Sequence, residues 1–131
     1  MNPYVHGYGI SLVAGAVFMW PVWKLLSHLT SKIPKDATDK EATTVWWFPV
    51  SMGIVERMVF TTLIGWNVPG AAAFIGAWVT IKALGGWGRW SQGTTYGRAT
   101  FMGALMLSAL SAMFGIGGGL VILAYRNQLK P

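Results

Sequence analysis

Hydrophobic residues along this chain fall into four long runs, separated by short polar or glycine-rich segments. The runs extend over about residues 7–29, 45–66, 68–88 and 99–124. A membrane-spanning helix needs roughly 20 apolar residues to cross about 30 Å of hydrocarbon. Only helices and closed barrels satisfy backbone hydrogen bonding in lipid, and four segments cannot close a barrel. The pattern therefore predicts an all-α integral membrane protein with four transmembrane helices in an antiparallel bundle.

The segments between the runs differ in length and chemistry. Residues 30–44 are polar and hold three of the four acidic residues, so they are expected to form a loop. Residues 67–70 read Asn-Val-Pro-Gly, which predicts a tight hairpin between spans two and three. Asn67 is expected to cap the third helix, and Pro69 is expected in its first turn, where N–H groups lack helical partners. The glycine- and tryptophan-rich residues 85–97 are expected to form a second loop.

Composition supports a membrane environment for the whole chain. The 131 residues fit a single membrane domain over 1–131. Hydrophobic residues make up 53% and charged residues only 11%, against roughly 25% charged residues in soluble domains. The chain has no cysteine, which excludes disulfides, thiolate metal sites and a cysteine nucleophile. The ten Lys and Arg are scattered between apolar runs, which indicates contact with membrane lipid and not with nucleic acid.

The distribution of basic residues predicts an orientation in the membrane. With four spans, both termini and the 67–70 turn lie on one side, which carries only Arg126 and Lys130. The opposite side carries five basic residues: Lys32, Lys35, Lys40, Arg89 and Arg98. Because basic loops stay in the cytoplasm, both termini are expected outside it. The compartment assumed is a bacterial inner membrane.

Three charged residues inside the apolar runs are the candidate polar or transport site. Glu56 and Arg57 lie near the middle of the second run, and Lys82 lies in the third. A charge at mid-membrane costs roughly 2.5–3.5 kcal/mol, so each needs compensation. Glu56 lies 12 residues before Val68 and Lys82 lies 14 after it, which places them within roughly 3 Å in depth. Lys82 can therefore reach Glu56 if the facing sides of the two helices match. The alternative is that Lys82 extends to the interface and Glu56 pairs with Arg57 of another subunit.

Small residues at a spacing of four mark candidate helix-packing faces. The fourth run carries two such rows, which are Ala104, Ser108 and Ala112, and Ser111, Gly115 and Gly119. The third run carries the pairs Ala72 and Gly76, and Ala73 and Ala77. Helices in lipid associate by close approach at such faces. The rows indicate packing within the chain, a subunit interface, or both.

The chain lacks recognisable catalytic or cofactor motifs. His6 and His28 are 22 residues apart, which is roughly 33 Å along one helix, so they cannot share a metal. No nucleophile elbow, phosphate loop, dinucleotide fingerprint or metalloprotease motif occurs. No metal and no cofactor are therefore predicted, and an enzyme is the less favoured class.

Three functional hypotheses remain from the sequence. The first is a small non-catalytic membrane protein, acting as an accessory or assembly subunit of a membrane complex or as a homo-oligomer. The second is a small-solute or ion transporter or channel that uses Glu56, with Arg57 and Lys82 along a polar path. The third is a lipid-modifying membrane enzyme. The surplus of small-residue faces and the lack of catalytic groups favour the first.

Overall fold

The structure, a computed structural model, describes residues 2–35, 47–91 and 93–128. These residues form helices joined by short turns, and no strand occurs among them. The elements in chain order are α1 (Pro3–Gly9), a π-helical turn (Ile10–Ala14), α2 (Gly15–Ser31), α3 (Trp47–Gly65), α4 (Ala71–Ser91) and α5 (Thr95–Gln128). The prediction of an all-helical chain is confirmed.

Within the part of the chain that the structure describes, two helices are long and apolar enough to cross a membrane. One is the continuous helix Pro3–Ser31, which comprises α1, the π-helical turn and α2, and the other is α5. The apolar part of α4 is shorter and covers Ala71–Gly85. The first helix begins where the Asn2 side chain accepts a hydrogen bond from the Tyr4 N–H and Pro3 occupies the first turn, as expected for a helix start.

Helix α5 is the element on which the others pack. Helix α3 runs along much of its length, and α1, α2 and α4 also contact it. Gly7 of α1 and Gly118 of α5 allow the closest approach, because a Cβ on either glycine would overlap the other helix. Near the same end, Arg126 Nη1 donates to the Gly65 carbonyl oxygen at 3.0 Å. This bond satisfies a carbonyl group at the C-terminus of α3, where no further helical N–H is available.

Asn67 ends α3 and does not cap α4, so that prediction was wrong. Its φ of 54° is left-handed. Its N–H donates to the Ile64 carbonyl oxygen and the Val68 N–H donates to that of Leu63, both at 2.9 Å. These two bonds form a Schellman motif, in which asparagine is accepted at the left-handed position because its short polar side chain tolerates that conformation.

The tight hairpin predicted for spans two and three is not confirmed. Helix α4 begins at Ala71, so Pro69 lies in the connecting turn and not in the first turn of the helix. Helix α3 packs mainly along α5, and α4 contacts α5 more extensively than it contacts α3. The four-helix membrane bundle is likewise not confirmed, because among the described residues only Pro3–Ser31 and α5 have the length and composition of a span.

The predicted loop over residues 85–97 is largely helical. Helix α4 continues to Ser91 and α5 already begins at Thr95. Glycine disfavours a helix by only about 1 kcal/mol per residue. The free-energy cost of a few glycines is therefore small compared with the helix stability that the rest of α4 and its packing against α5 provide. The polar loop predicted at 30–44 lies mostly outside the described residues.

The described helices enclose a small apolar core and expose many large apolar side chains. The buried hydrophobic residues are Phe60, Ala71, Ile75, Phe101, Ala112 and Ile122. The exposed ones include Val13, Trp20, Ile81, Leu84 and Met113, each more than 60% exposed. Large exposed apolar patches are typical of faces that contact lipid or protein. The exposed apolar side chains are therefore compatible with a membrane protein.

Candidate polar site between the helices

Glu56 and Arg57 are adjacent in the middle of α3, and both are buried, with 5% of each residue exposed. Neighbouring residues on a helix point roughly 100° apart, so the two side chains reach different elements. Glu56 is directed to α4, and Arg57 is directed to the N-terminal helix. The site thus has two halves on adjacent faces of α3.

The half around Glu56 is an ion pair supported by a tryptophan. Lys82 Nζ lies 2.6 Å from Glu56 Oε1, and the Lys82 side chain is 31% exposed. Trp78 Nε1 donates to the same oxygen at 2.9 Å. Trp78 and Lys82 are one turn apart on α4, so they share a face of that helix. The similar depth of Glu56 and Lys82 along their helices allowed this contact to be proposed from the sequence, whereas no sequence feature indicated Trp78.

The half around Arg57 contains a guanidinium group without a counter-ion. Arg57 Nε and Nη1 are buried and have no hydrogen-bond partner among the described residues. The group lies against Gly15, where a Cβ would come within 2.5 Å of Nη1. Glycine at this position therefore makes room for the charged side chain. The sequence showed that Arg57 needs a partner, but it did not show that Gly15 would face it.

Hydroxyl groups connect α3, α5 and the π-helical turn of the N-terminal helix just beyond Arg57. Thr61 Oγ1 lies 2.8 Å from Ser11 Oγ and 3.0 Å from the Gly115 carbonyl oxygen. Ser11 Oγ also lies 3.5 Å from the Arg57 carbonyl oxygen. Ser11 and Thr61 are fully buried. Ser11 lies within the π-helical turn, a feature often found at functional sites, and no sequence signal marked that turn.

The second small-residue row on α5 packs inside the chain. Ser111, Gly115 and Gly119 are buried, and a Cβ on Gly119 would come within 2.6 Å of Ile64. Ser111 Oγ lies 3.4 Å from the Gly53 carbonyl oxygen, again on α3. These residues let α3 approach α5 closely, which accounts for the row without a subunit interface.

The first row on α5 has a mixed environment. Ala112 is buried beside Phe60 and Ile75, Ser108 is half-buried, and Ala104 is exposed. The small residues of α4 differ from both rows, because Ala72, Ala73, Gly76 and Ala77 are all exposed. The small-residue face that lacks a partner is therefore on α4.

The described residues offer no metal site. His6 and His28 lie near opposite ends of the helix Pro3–Ser31, and His6 Nδ1 lies 3.1 Å from the Asn2 carbonyl oxygen. Within residues 2–35, 47–91 and 93–128, no three His, Asp or Glu side chains come together.

Comparisons with known proteins identify no relative. No protein-family model matches the chain, and neither the curated proteins nor the solved structures give a match. Function must therefore be argued from the chain's own residues.

Proposed function

We propose that this chain is a small integral membrane protein that acts without catalysis, as an accessory subunit of a membrane complex or as a homo-oligomer. In this proposal α3 and α4 cross the membrane together with the two long apolar helices. Both termini then lie on the less basic side, outside the cytoplasm. Membrane lipid and other membrane proteins, or copies of the chain itself, are its partners.

The observation that carries this proposal is the open small-residue face of α4. Ala73, Gly76 and Ala77 are exposed, and a Cβ on Gly76 would meet nothing within 4 Å. Thr80 extends the face by one turn, with its hydroxyl bonded back to the Gly76 carbonyl oxygen at 2.9 Å. In lipid, a helix face of small residues is stabilised more by close packing with another helix than by contact with lipid.

The ion pair on the inner face of α4 also supports a structural role. Glu56 accepts from both Lys82 and Trp78, so its charge is compensated within the chain. A compensated polar group fixes how two helices pack and how they are oriented. Helix α4 is thereby held with its opposite, small-residue face directed outward.

The test is the intact mass of the full chain after gentle purification from its native membrane, compared between two glycine variants. Gly76 and Gly85 are both exposed on α4, and a Cβ at either meets nothing within 4 Å. The separation of nine positions between them places them on opposite flanks of the helix, at roughly 100° per residue. Gly76→Leu is expected to release the chain as a monomer, while Gly85→Leu retains the assembly. A monomeric wild type, or equal effects of both variants, would contradict the proposal.

Transport is the second candidate function, and Arg57, which has no ion pair among the described residues, favours it. A buried charge of this kind fits a site that exchanges a charged solute. This hypothesis predicts that Glu56→Gln abolishes ion or solute flux in vesicles while the assembly keeps its mass. Loss of assembly in the same variant would instead assign Glu56 a structural role. Nothing among the described residues favours the third hypothesis, a lipid-modifying enzyme.

A further inference from the structure

Arg57 is the one buried charge in the described residues that has no counter-ion within hydrogen-bonding distance. Only 5% of the residue is exposed, and two of its three guanidinium nitrogens are buried without a partner. A guanidinium group stays protonated in proteins and offers five donors in a planar fork. Leaving such a group unpaired in a region of low dielectric is strongly destabilising. The position therefore calls for an anion.

The described part of the chain does not supply that anion. Glu56 is the nearest carboxylate in sequence, and its Oε1 is held by Lys82 and Trp78 on the other side of α3. Helix α2 contains Lys24 and His28 and no acidic residue. The N-terminal half of α3 contains no acidic residue other than Glu56.

Helices α2 and α3 do not pack directly on each other. Both pack on α5, but no Cα atoms of α2 and α3 lie within 8 Å of each other. Directly packed helices have axes about 8–10 Å apart and bring such atoms closer. Gly53 lies one turn before Arg57 on the same face of α3, and a Cβ there would meet only Ser111 Oγ, at 3.8 Å. The Nε and Nη1 atoms of Arg57 are themselves buried, so a ligand reaches them only when the side chain rotates toward the gap between α2 and α3.

We infer that Arg57 anchors a binding site for an oxyanion, a carboxylate or phosphate group that enters between α2 and α3. Both groups accept two parallel hydrogen bonds from a guanidinium fork, which gives a stronger interaction than a single neutral bond. Rotation of the Arg57 side chain toward the gap brings its free N–H groups to the ligand. The site differs from the face proposed to bind a partner, because Arg57 lies against Gly15 of the N-terminal helix, whereas Ala73, Gly76 and Ala77 are exposed on α4.

The oxyanion has two sources, which the experiment separates. One is a small soluble anion, and the other is an amphiphile whose acidic head reaches Arg57 while its tail stays in lipid. The full chain in a neutral detergent is titrated with four probes: acetate, inorganic phosphate, oleate and phosphatidylglycerol. The dissociation constant and the unfolding temperature are measured for each. Binding of acetate or phosphate indicates a soluble anion, and binding of only the other two indicates an amphiphile.

Two variants test whether Arg57 carries the binding. Arg57→Gln removes the charge and the fork, and is expected to raise the dissociation constant about tenfold or more. Without ligand it is expected to unfold at the same or a higher temperature than wild type, because an unpaired buried charge is gone. Lys24→Gln removes an equal charge from an exposed side chain, whose Nζ lies 4.7 Å from the centre of the Trp20 ring, and is expected to bind like wild type.

A further variant keeps the test decisive if Arg57→Gln does not fold. Arg57→Lys retains the charge without the fork, and a smaller loss of affinity is expected for it. A wild type that binds none of the four probes would overturn the inference. Equal losses of affinity in the Arg57 variants and in Lys24→Gln would also overturn the inference, because net charge alone would then explain the effect.

Discussion

Lys82 and Glu56 join α4 to α3 through an ion pair, with Nζ 2.6 Å from Oε1. The two residues lie at nearly equal distances from the connecting turn, which places them at the same level of neighbouring helices. Trp78 adds a second donor to the same carboxylate oxygen. Glu56 is thus paired on the side of α3 that faces α4, while Arg57, which faces the N-terminal helix, has no ion pair among the described residues.

Lys82→Met is expected to lower the free energy of unfolding by about 1–3 kcal/mol, because it leaves Glu56 buried with Trp78 as its only donor. Partial exposure of Lys82 keeps the loss below that of a fully buried pair. Chemical unfolding in detergent micelles measures the change. In the Glu56→Gln background the same substitution should cost less, since no carboxylate is left unpaired. If the effects of the two substitutions on the free energy of unfolding are strictly additive, the ion pair does not contribute to stability.

Trp78→Phe is expected to destabilise the chain by about 1 kcal/mol through loss of the Nε1–H bond to Glu56. Trp66→Phe is the matched control, because Trp66 is 59% exposed. Thermal unfolding of both variants in one detergent gives the comparison. Equal stability of the two would mean that the indole bond to Glu56 is not formed.

Gly15→Ala is expected to destabilise the chain by about 1–3 kcal/mol, because the new methyl group would lie 2.5 Å from Arg57 Nη1. Gly9→Ala makes the same change where a Cβ meets nothing within 4 Å. It is expected to stabilise the helix by up to about 1 kcal/mol. If Gly15→Ala lowers the unfolding midpoint and Gly9→Ala raises it, the guanidinium group packs against Gly15. A stabilising Gly15→Ala would place it elsewhere.

Asn67→Gly is expected to preserve or raise stability, and Asn67→Ala to lower it by about 1 kcal/mol. The left-handed φ of 54° at this position disfavours a residue with a plain Cβ. Both variants remove the amide, so the difference between them isolates the backbone conformation. If Asn67→Ala is more stable to unfolding than Asn67→Gly, the result would contradict the Schellman motif at the end of α3.

Single-cysteine labelling is expected to report four membrane crossings. The chain has no cysteine of its own, so Asn2→Cys, Lys35→Cys and Val68→Cys can each be labelled alone with an impermeant maleimide on intact cells. If α3 and α4 cross the membrane, positions 2 and 68 are labelled from outside and position 35 is protected. If only Pro3–Ser31 and α5 cross, positions 35 and 68 share a side.

The number and position of the helices could be predicted from the sequence, because long apolar runs and polar breaks reflect the period and length of buried helices. The Lys82–Glu56 contact could be proposed from the similar depth of the two residues on helices joined by a short turn, beside the alternative that Lys82 extends to the interface. Depth alone could not decide between the two, because the contact also requires that the two helix faces match.

The surroundings of Arg57 could not be predicted in the same way. Which residue faces its guanidinium group depends on how α3 rotates about its axis and on the π-helical turn in the N-terminal helix. Neither leaves a signal in local hydrophobic periodicity. The ends of the helices were also missed at Asn67 and over residues 85–97, where local preferences are weak compared with packing energies.

The π-helical turn has a consequence for insertions and deletions in the N-terminal helix. Gly7, Ser11 and Gly15 are its buried positions, and a spacing of four drifts by roughly 40° per step on a regular α-helix. One extra residue in the turn reduces this drift and keeps all three facing the same neighbours. Deleting a single residue from Ile10–Ala14 would convert this wide turn into a regular α-helical turn, so the residues after it would keep nearly the same face toward their neighbours. A deletion elsewhere in the helix would rotate everything after it by roughly 100°, so a single deletion is tolerated best within this turn.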